Sequence, residues 1–391
     1  MASESLAVAR ARVAQVDKEM ERLKLSGMHA LCLERDQLQR TLGDYKYPVL
    51  TLPTEITSEI FIRYLPWAQR PEFKGPNSPS FLLRICRQWR DVALGTPELW
   101  RTMRLDIKPH TGPRLRADQH RSLNRWLQRS GDCPLSIGLS CLDTRVPSSS
   151  LQPFVDAISR HTSRWEALEI CLPLDNLRSI KGPMPLLRSL TMGPNDELID
   201  PTSSEPRLDL FTDAPRMESL ILFTFFNPFY ITLPWSQITS VTASLYVHEA
   251  AEIMRNAAAL ETLTIIVYNV YESESNLPMA PIPPLPSLHT LILKTSSDGA
   301  EEITGIPALL DELSLPALLF LSTYECFLGV DPVAAIASLR PTGSLSWVQI
   351  LAASTSRGVY EKAFPNTQFV VEEVEEGDEG DEEDGSGDDS N

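Results

Sequence analysis

The sequence predicts an α/β protein built from four consecutive parts: a long N-terminal helix, a small helical module, an irregular solenoid of parallel strands, and an acidic tail. Three observations predict it: apolar residues at heptad spacing near the N-terminus, two short amphipathic helices after them, and an apolar motif that then recurs every 21 to 30 residues. A chain of 391 residues is long enough for two or three domains. The four parts are expected at residues 1–45, 46–105, 106–371 and 372–391.

The N-terminal segment is predicted to be one long helix with two apolar seams. The first seam follows the a and d spacing of a coiled coil, the register slips at Ser26-Gly27, and a second seam follows. The first comprises Leu6, Val13, Val16, Met20 and Leu23, and the second comprises Leu31, Leu38 and Leu42. Two interpretations remain open: self-association through residues 6–42, or a single amphipathic helix that packs on the body or stands free.

The next segment opens a first short helix at Leu52-Pro53. Proline is tolerated in the first helical turn because its missing N–H would have no partner there. Ile56 and Ile60 lie one turn apart on one face, Leu65 continues the apolar ridge, and Pro66 ends the helix.

A second short helix is predicted from Ser78, the expected N-cap, to Gly95. Pro79 occupies the first helical position, and Pro97 prevents the helix from restarting. Trp100 follows as a further large apolar anchor. Helical spacing is kept by Leu82, Ile85, Trp89 and Val92.

These two helices resemble the F-box, the module that docks substrate adaptors onto the Skp-type subunit of cullin–RING ubiquitin ligases. The resemblance rests on the Leu52-Pro53 opening, the apolar ridge, the stretch ICRQWR at 85–90, and Trp100. The link WAQRPEFKGPNS at 67–78 is longer than in most F-boxes and resembles the F-box-like variant common in large fungal families. A helical hairpin that merely caps the next domain is the alternative.

The resemblance implies a surface for the Skp-type adaptor, with Trp89 and Trp100 as core anchors. It implies no catalytic residue, no cofactor and no metal. The implied surface comprises Leu52, Pro53, Ile56, Ile60, Leu65, Ile85, Trp89 and Trp100.

After Trp100, helix-like and strand-like segments alternate, as in DQHRSLNRWLQR at 118–129 followed by CPLSIGLS at 133–140. A six-residue motif then recurs, in which an apolar residue is followed three and five positions later by leucine or a substitute. It appears as WEALEI, LRSLTM, MESLIL, ITSVTA, LETLTI, LHTLIL and LLFLST. Its central residues are Leu168, Leu190, Leu220, Val241, Leu263, Leu291 and Leu321, at steps of 22, 30, 21, 22, 28 and 30 residues.

This spacing, with one strand in each repeat, resembles an irregular leucine-rich-repeat solenoid. The usual asparagine after the strand is mostly missing. The resemblance implies buried motif leucines on parallel strands, specifically Leu220, Leu263 and Leu291. Parallel βα units without true repeats are the alternative.

One stretch, from Glu218 to Glu249, has no charged residue between its ends. Asn227, Pro228 and Pro234 interrupt it, so it predicts buried strands rather than a membrane span. It also concentrates aromatic residues beyond what alternate inward positions can hold. We therefore expect part of this cluster to bind a client protein, unless it fills space under a loop. The cluster is Phe225, Phe226, Phe229, Tyr230 and Trp235.

The formal net charge of −17 is concentrated at the C-terminus. Residues 372–391 hold 12 acidic and no basic residues, and the rest of the chain has 40 acidic against 35 basic. The body therefore offers no nucleic-acid-binding surface. The tail is predicted to be disordered, either as a solubilising extension or as an arm for basic proteins.

The six cysteines have no CxxC pair and no disulfide-like spacing, which is typical of reduced thiols. With no signal-peptide pattern and no membrane span, the expected location is cytoplasmic or nuclear. The cysteines are Cys32, Cys86, Cys133, Cys141, Cys171 and Cys326.

No GxSxG, P-loop, HExxH or strand-linked GxGxxG motif occurs, and the six histidines are scattered. The F-box resemblance implies, as the first-ranked function, a non-enzymatic substrate-recognition adaptor of an SCF-type ubiquitin ligase. It would bind the Skp-type subunit through the helical module and an unidentified client through the repeats. The second is a repeat-based interaction scaffold that does not bind the adaptor, and the third is an enzyme without a recognisable motif.

Overall fold

The computed structural model describes residues 2–44, 48–65, 75–108, 112–194, 208–223, 228–267, 280–295, 305–339 and 345–373. These residues form eleven α-helices and eleven strands. The helices are α1 (Ala2–Asp44), α2 (Thr54–Tyr64), α3 (Pro79–Leu82), α4 (Arg87–Leu94), α5 (Pro113–Arg129), α6 (Ser148–Ser159), α7 (Leu174–Arg178), α8 (Val247–Asn256), α9 (Ile306–Asp311), α10 (Pro332–Leu339) and α11 (Arg357–Ala363). The strands are β1 (Thr102–Asp106), β2 (Leu135–Ser140), β3 (Trp165–Leu172), β4 (Ser189–Pro194), β5 (Ser219–Leu222), β6 (Ser240–Leu245), β7 (Thr262–Val267), β8 (Thr290–Thr295), β9 (Phe320–Tyr324), β10 (Trp347–Ala353) and β11 (Gln368–Glu373).

All eleven strands form one parallel sheet whose spatial order, β1 to β11, is the order of the sequence. Each strand therefore hydrogen-bonds only to the strands before and after it in the chain. A parallel pair needs a crossover connection, and α5 to α11 lie in these connections. The predicted α/β class is confirmed.

One inward-facing row of side chains runs across the whole sheet. Its members are register partners from strand to strand, and each is at most 2% exposed. The seven central motif residues all belong to it, so the predicted burial of Leu220, Leu263 and Leu291 on parallel strands is confirmed. The row is Met103, Ile137, Leu168, Leu190, Leu220, Val241, Leu263, Leu291, Leu321, Val348 and Phe369.

The first apolar residue of each motif is also fully buried. It lies three positions N-terminal to the inward-row residue of the same strand, at the start of the strand or just before it. It therefore extends the core past the N-terminal end of the strand. These residues are Trp165, Leu187, Met217, Ile238, Leu260, Leu288 and Leu318, all at 0% exposure.

The sheet is longer than the motif indicated. β1 begins at Thr102, inside the segment 46–105 that was assigned to the helical module, and pairs with β2. At the other end, β10 and β11 add two strands, and β11 reaches Glu373, inside the segment assigned to the acidic tail. The module thus continues directly into the sheet. The remainder of the predicted tail, 374–391, lies outside the described residues.

The described side chains of α1 lie away from the rest of the chain. Nearly every one between residues 11 and 37 is exposed, including Val13 at 61% and Leu23 at 65%. Over residues 11–37, the exposure agrees with the free-standing helix and not with one packed on the body.

Candidate protein-docking surfaces

Helix α2 carries a buried stripe that fixes it to the module. Thr57, Phe61 and Leu65 follow one another at four-residue spacing and are each 2% exposed. The hydroxyl of Thr57 donates to the carbonyl of Pro53 at 3.1 Å, and the ring of Phe61 lies 4.9 Å from that of Trp89. Leu65 has extended backbone (φ −79°, ψ 131°), so the helix ends before it.

The neighbouring stripe of α2 is exposed and apolar. Ile56, Ile60 and Tyr64 also recur at four-residue spacing, and their exposed fractions are 51%, 46% and 52%. Residues four apart on a helix are adjacent on its surface, so these three side chains form a continuous ridge. A ridge of this kind on a short helix is a common protein-docking element.

The second predicted helix is two helices with a turn between them. Ser78 caps α3 as expected, its hydroxyl accepting from the amide of Ser80 at 3.2 Å. The helix then ends at Leu82, and α4 begins after Cys86, whose sulfur accepts from the amide of Trp89 at 3.4 Å. Gly95 ends α4 as predicted.

The turn exposes further apolar surface. Phe81 and Ile85 are 41% and 47% exposed, and the guanidinium of Arg90 donates to the carbonyl of Leu83 at 2.9 Å, which holds the turn against α4. The amide of Gln88 donates to the carbonyl of Leu50 at 2.8 Å and ties α4 to the start of the module.

Trp100 joins the helical module to the sheet domain. It is fully buried, and its indole N–H donates to the carbonyl of Ala93 at 2.8 Å. Its ring meets that of Trp126 edge to face at 5.1 Å, and the guanidinium carbon of Arg129 lies 4.5 Å from its centre. The module therefore sits on α5 through one aromatic anchor.

The eight residues assigned to adaptor contact thus divide into three groups. Pro53, Ile56, Ile60 and Ile85 are exposed, while Leu52 and Trp89 are half-buried. Leu65 and Trp100 are buried within the module. The assignment has to be corrected for Leu65, whose side chain is not available for direct contact in the free chain, whereas the burial of Trp100 agrees with its expected role as a core anchor. Their burial makes them supports of the ridge. Tyr64, which sequence reasoning missed, takes the place of Leu65, and the four-residue spacing from Ile56 through Ile60 could have identified it.

The aromatic cluster expected to bind a client is only partly described. Phe225 and Phe226 lie outside the described residues. Phe229, Tyr230 and Trp235 are half-buried and packed against the core. The rings of Phe229 and Trp235 are 5.7 Å apart, and Arg178 donates to the hydroxyl of Tyr230 at 2.8 Å. These three aromatics cover the core while keeping part of their surface in solvent, and a role in client binding stays a prediction.

The outward face of the sheet is a second surface of recognisable chemistry. Successive side chains of a strand point to opposite faces, so the residues one position before the inward row form an outward row. Seven of its eleven members are serine or threonine. The row is Thr102, Ser136, Ala167, Ser189, Ser219, Ser240, Thr262, Thr290, Phe320, Trp347 and Gln368.

This outward row contains an aromatic pair on β9 and β10, just before its last member Gln368. The rings of Phe320 and Trp347 stack at 6.4 Å with an interplanar angle of 25°, and Trp347 is 39% exposed. Sequence reasoning missed the pair, although the aromatic residue directly before the inward motif position in β9 signalled it. At the far end of the sheet, on the same face, Arg104 pairs with Asp106 and Glu169, both at 3.0 Å. Along the outward face, charged side chains at β1 to β3 are thus followed by a row rich in serine and threonine and then by the aromatic pair on β9 and β10.

Burial raises the pKa of the thiols of Cys133 and Cys141, which makes each a weaker nucleophile at neutral pH than an ordinary exposed thiol. Among the described residues, no three His, Cys, Asp or Glu side chains are arranged to hold a metal ion. Nor does this part of the chain contain a helix both long and apolar enough to cross a membrane.

Comparison with known proteins assigns no role to these surfaces. No family model matches the chain. No curated protein matches it with significant similarity.

Proposed function

We propose that this protein is a substrate-recognition adaptor of a cullin–RING ubiquitin ligase. The F-box-like module at residues 52–100 binds the Skp-type subunit, and the leucine-rich-repeat-like sheet domain binds the client. In this role the protein supplies proximity and orientation, while the chemistry belongs to its partners.

The observation that carries the proposal is the exposed ridge of Ile56, Ile60 and Tyr64 beside the buried stripe of the same helix. A helix with two apolar stripes is expected to bury both, and the described part of the chain covers only one. The leucine–proline opening of the module, which resembles an F-box, identifies the Skp-type subunit as the proposed occupant.

The sheet domain supports the client half of the proposal. Its outward face extends across eleven parallel strands, and such a face offers a long binding surface. We assign the client to this face, with the Phe320–Trp347 pair as its apolar anchor. The half-buried aromatics Phe229, Tyr230 and Trp235 form a second candidate client surface.

Capture of a purified Skp-type adaptor tests the first half. Ile56→Asp together with Ile60→Asp places two charges in the proposed apolar interface at a cost of several kcal/mol and should abolish capture. Because both side chains are exposed in the free chain, the variant should unfold at the wild-type temperature.

The matched control changes two similarly exposed apolar residues elsewhere. Leu115 on α5 and Val359 on α11 are 48% and 46% exposed. Leu115→Asp with Val359→Asp should leave capture intact. Wild-type capture by the Ile56/Ile60 variant would refute the assignment, and failure of the wild-type chain to bind would favour the plain interaction scaffold.

A further inference from the structure

Helix α1 presents an apolar seam that the described residues of its own chain leave exposed. Val13, Val16, Met20 and Leu23 occupy alternating a and d positions, and their exposed fractions are 61%, 43%, 50% and 65%. The helix is 43 residues long, so the seam is carried on a rigid and extended element. Four apolar side chains in a row on a free-standing helix require a partner helix to be buried.

The charged residues beside the seam indicate which partner fits. With Val13 at position a, Arg12 and Glu19 occupy g positions, and Asp17 and Lys24 occupy e positions. All four are exposed. In a parallel coiled coil, a g residue faces the e residue five positions later on the other helix.

A second copy of the chain satisfies both of these pairings. In a parallel, in-register pair, Arg12 faces Asp17 of the second copy, and Glu19 faces Lys24 of the second copy. Two-fold symmetry repeats each pairing, so four contacts of opposite charge flank the seam. Val13 at a and Leu23 at d are also residue types that favour two-stranded parallel coils.

The antiparallel arrangement is disfavoured by the same charges. Keeping all four seam residues in contact would align Val13 with Leu23 of the second copy. That alignment brings Asp17 beside Asp17 and Glu19 beside Glu19, and like charges at these positions repel.

We propose that the chain forms a parallel homodimer through the α1 seam of Val13, Val16, Met20 and Leu23. The paired region ends at Gly27, which occupies the next a position and has no side chain to bury in the seam. The dimer presents two helical modules and two sheet domains on one stalk, and it does not depend on adaptor binding.

The mass of the full chain in solution is the first test. Sedimentation equilibrium should give twice the chain mass, and Val16→Asp with Leu23→Asp should reduce it to a single chain. The exposed seam makes no contact with the described body, so thermal unfolding of the sheet domain should not shift. A wild-type chain that stays monomeric at every accessible concentration overturns the proposal.

Exchanging the charges tests whether the partner is a second copy of the chain. It also distinguishes lost pairing from a variant whose helix has simply unfolded. Arg12→Glu with Lys24→Glu makes all four flanking positions acidic, and Asp17→Lys with Glu19→Lys makes them all basic. Each variant alone should be monomeric, whereas an equimolar mixture should recover a dimer that contains one chain of each kind. Failure to recover it contradicts pairing through these residues.

Disulfide capture tests the orientation. In a chain whose exposed Cys32 and Cys326 are replaced by serine, Val16→Cys occupies a d position and should cross-link to its own copy under mild oxidation. Ala14→Cys, at an outward b position, is the matched control and should not cross-link. If the two cysteine variants cross-link equally, the parallel register is wrong. It is also wrong if neither variant cross-links although the chain is shown to be a dimer.

Discussion

The hydroxyl of Tyr360 donates a hydrogen bond of 2.6 Å to Oε1 of Glu325, across 35 positions of the sequence. Glu325 directly follows β9, and Tyr360 lies on α11. The same carboxylate accepts from the amides of Ser354 and Thr355, which follow β10, and from the hydroxyl of Ser354 at 2.8 Å. One buried carboxylate therefore joins two consecutive connections at the C-terminal end of the sheet, the one between β9 and β10 and the one between β10 and β11.

The pKa of Glu325 makes this junction sensitive to acid. Burial by itself raises the pKa of the carboxyl, but the hydrogen bonds from Thr355, Tyr360 and Ser354 outweigh it and lower the pKa from 4.5 to about 2. A carboxyl whose pKa is lowered by folding stabilises the folded state above its unfolded pKa. That contribution is lost as the pH falls from about 4.5 toward 2.

Glu325→Gln should therefore lower the free energy of unfolding at neutral pH and reduce its decrease between pH 4.5 and 2. Losing hydrogen bonds to a charged group typically costs about 1.5–3 kcal/mol. Urea unfolding across this pH range measures both effects. Glu361→Gln is the control, because Glu361 is 48% exposed and pairs with Arg357 at the surface, so its effect should be small at every pH. Parallel pH profiles for the Glu325 variant and wild type would contradict the assignment.

The inward row predicts that the free energy of unfolding depends strongly on single leucines. Leu263→Ala removes a fully buried side chain from the middle of the sheet and should cost about 2–5 kcal/mol in the free energy of unfolding. The next residue, Thr264, points to the outward face, and Thr264→Ala should change stability by less than about 0.5 kcal/mol. Chemical denaturation distinguishes the two, and equal effects would be inconsistent with the alternation.

The two stripes of α2 predict different outcomes for adjacent substitutions. Tyr64→Ala should weaken capture of the Skp-type adaptor by about tenfold with little change in stability. Leu65→Ala should lower the free energy of unfolding by about 2–5 kcal/mol, because Leu65 is 2% exposed. Capture and thermal unfolding are measured on both variants. A Tyr64 variant that binds as wild type would remove Tyr64 from the proposed interface.

The outward aromatic pair predicts where the client binds. Trp347→Ala should reduce capture of client proteins by about tenfold while adaptor capture stays unchanged. Trp235→Ala is the matched change in the half-buried cluster and should lower stability, because Trp235 packs against the core. Quantitative affinity purification of each variant compares the two surfaces. Client loss for Trp235→Ala alone, at unchanged stability, would transfer the client site to the aromatic cluster.

The repeating part of the fold could be predicted because each strand needs an apolar residue at the position that faces the common core. Leu168 and Leu321 lie on β3 and β9, far apart in the sequence, yet both occupy the same inward row, since each strand meets the same core. β10 satisfies the same requirement with Leu345, Val348 and Ile350, and its central valine matches Val241 of β6, so the motif could have revealed it. β11 could not be found in this way, because Asn366 lies three positions before its inward residue Phe369.

The helical module was less predictable, because its boundaries depend on backbone geometry. Ile85 has helical spacing from Leu82, but it lies in the turn between α3 and α4. The N-cap of α4 is the sulfur of Cys86, and cysteine is not one of the usual cap residues. Leu65 similarly has the right hydrophobicity for the ridge. It lies four residues after Phe61 and therefore belongs to the buried stripe, whereas Tyr64 lies four residues after Ile60 and is exposed.

The order of the strands bears on how this chain can change its length over evolutionary time. A duplication of one strand with its connection inserts a strand between two existing neighbours and separates only that one pair. Each such step lengthens the sheet by one strand spacing, about 4.8 Å, without threading the chain through any other element. The span available for a client can therefore grow or shrink one unit at a time, while the N-terminal module stays attached at β1.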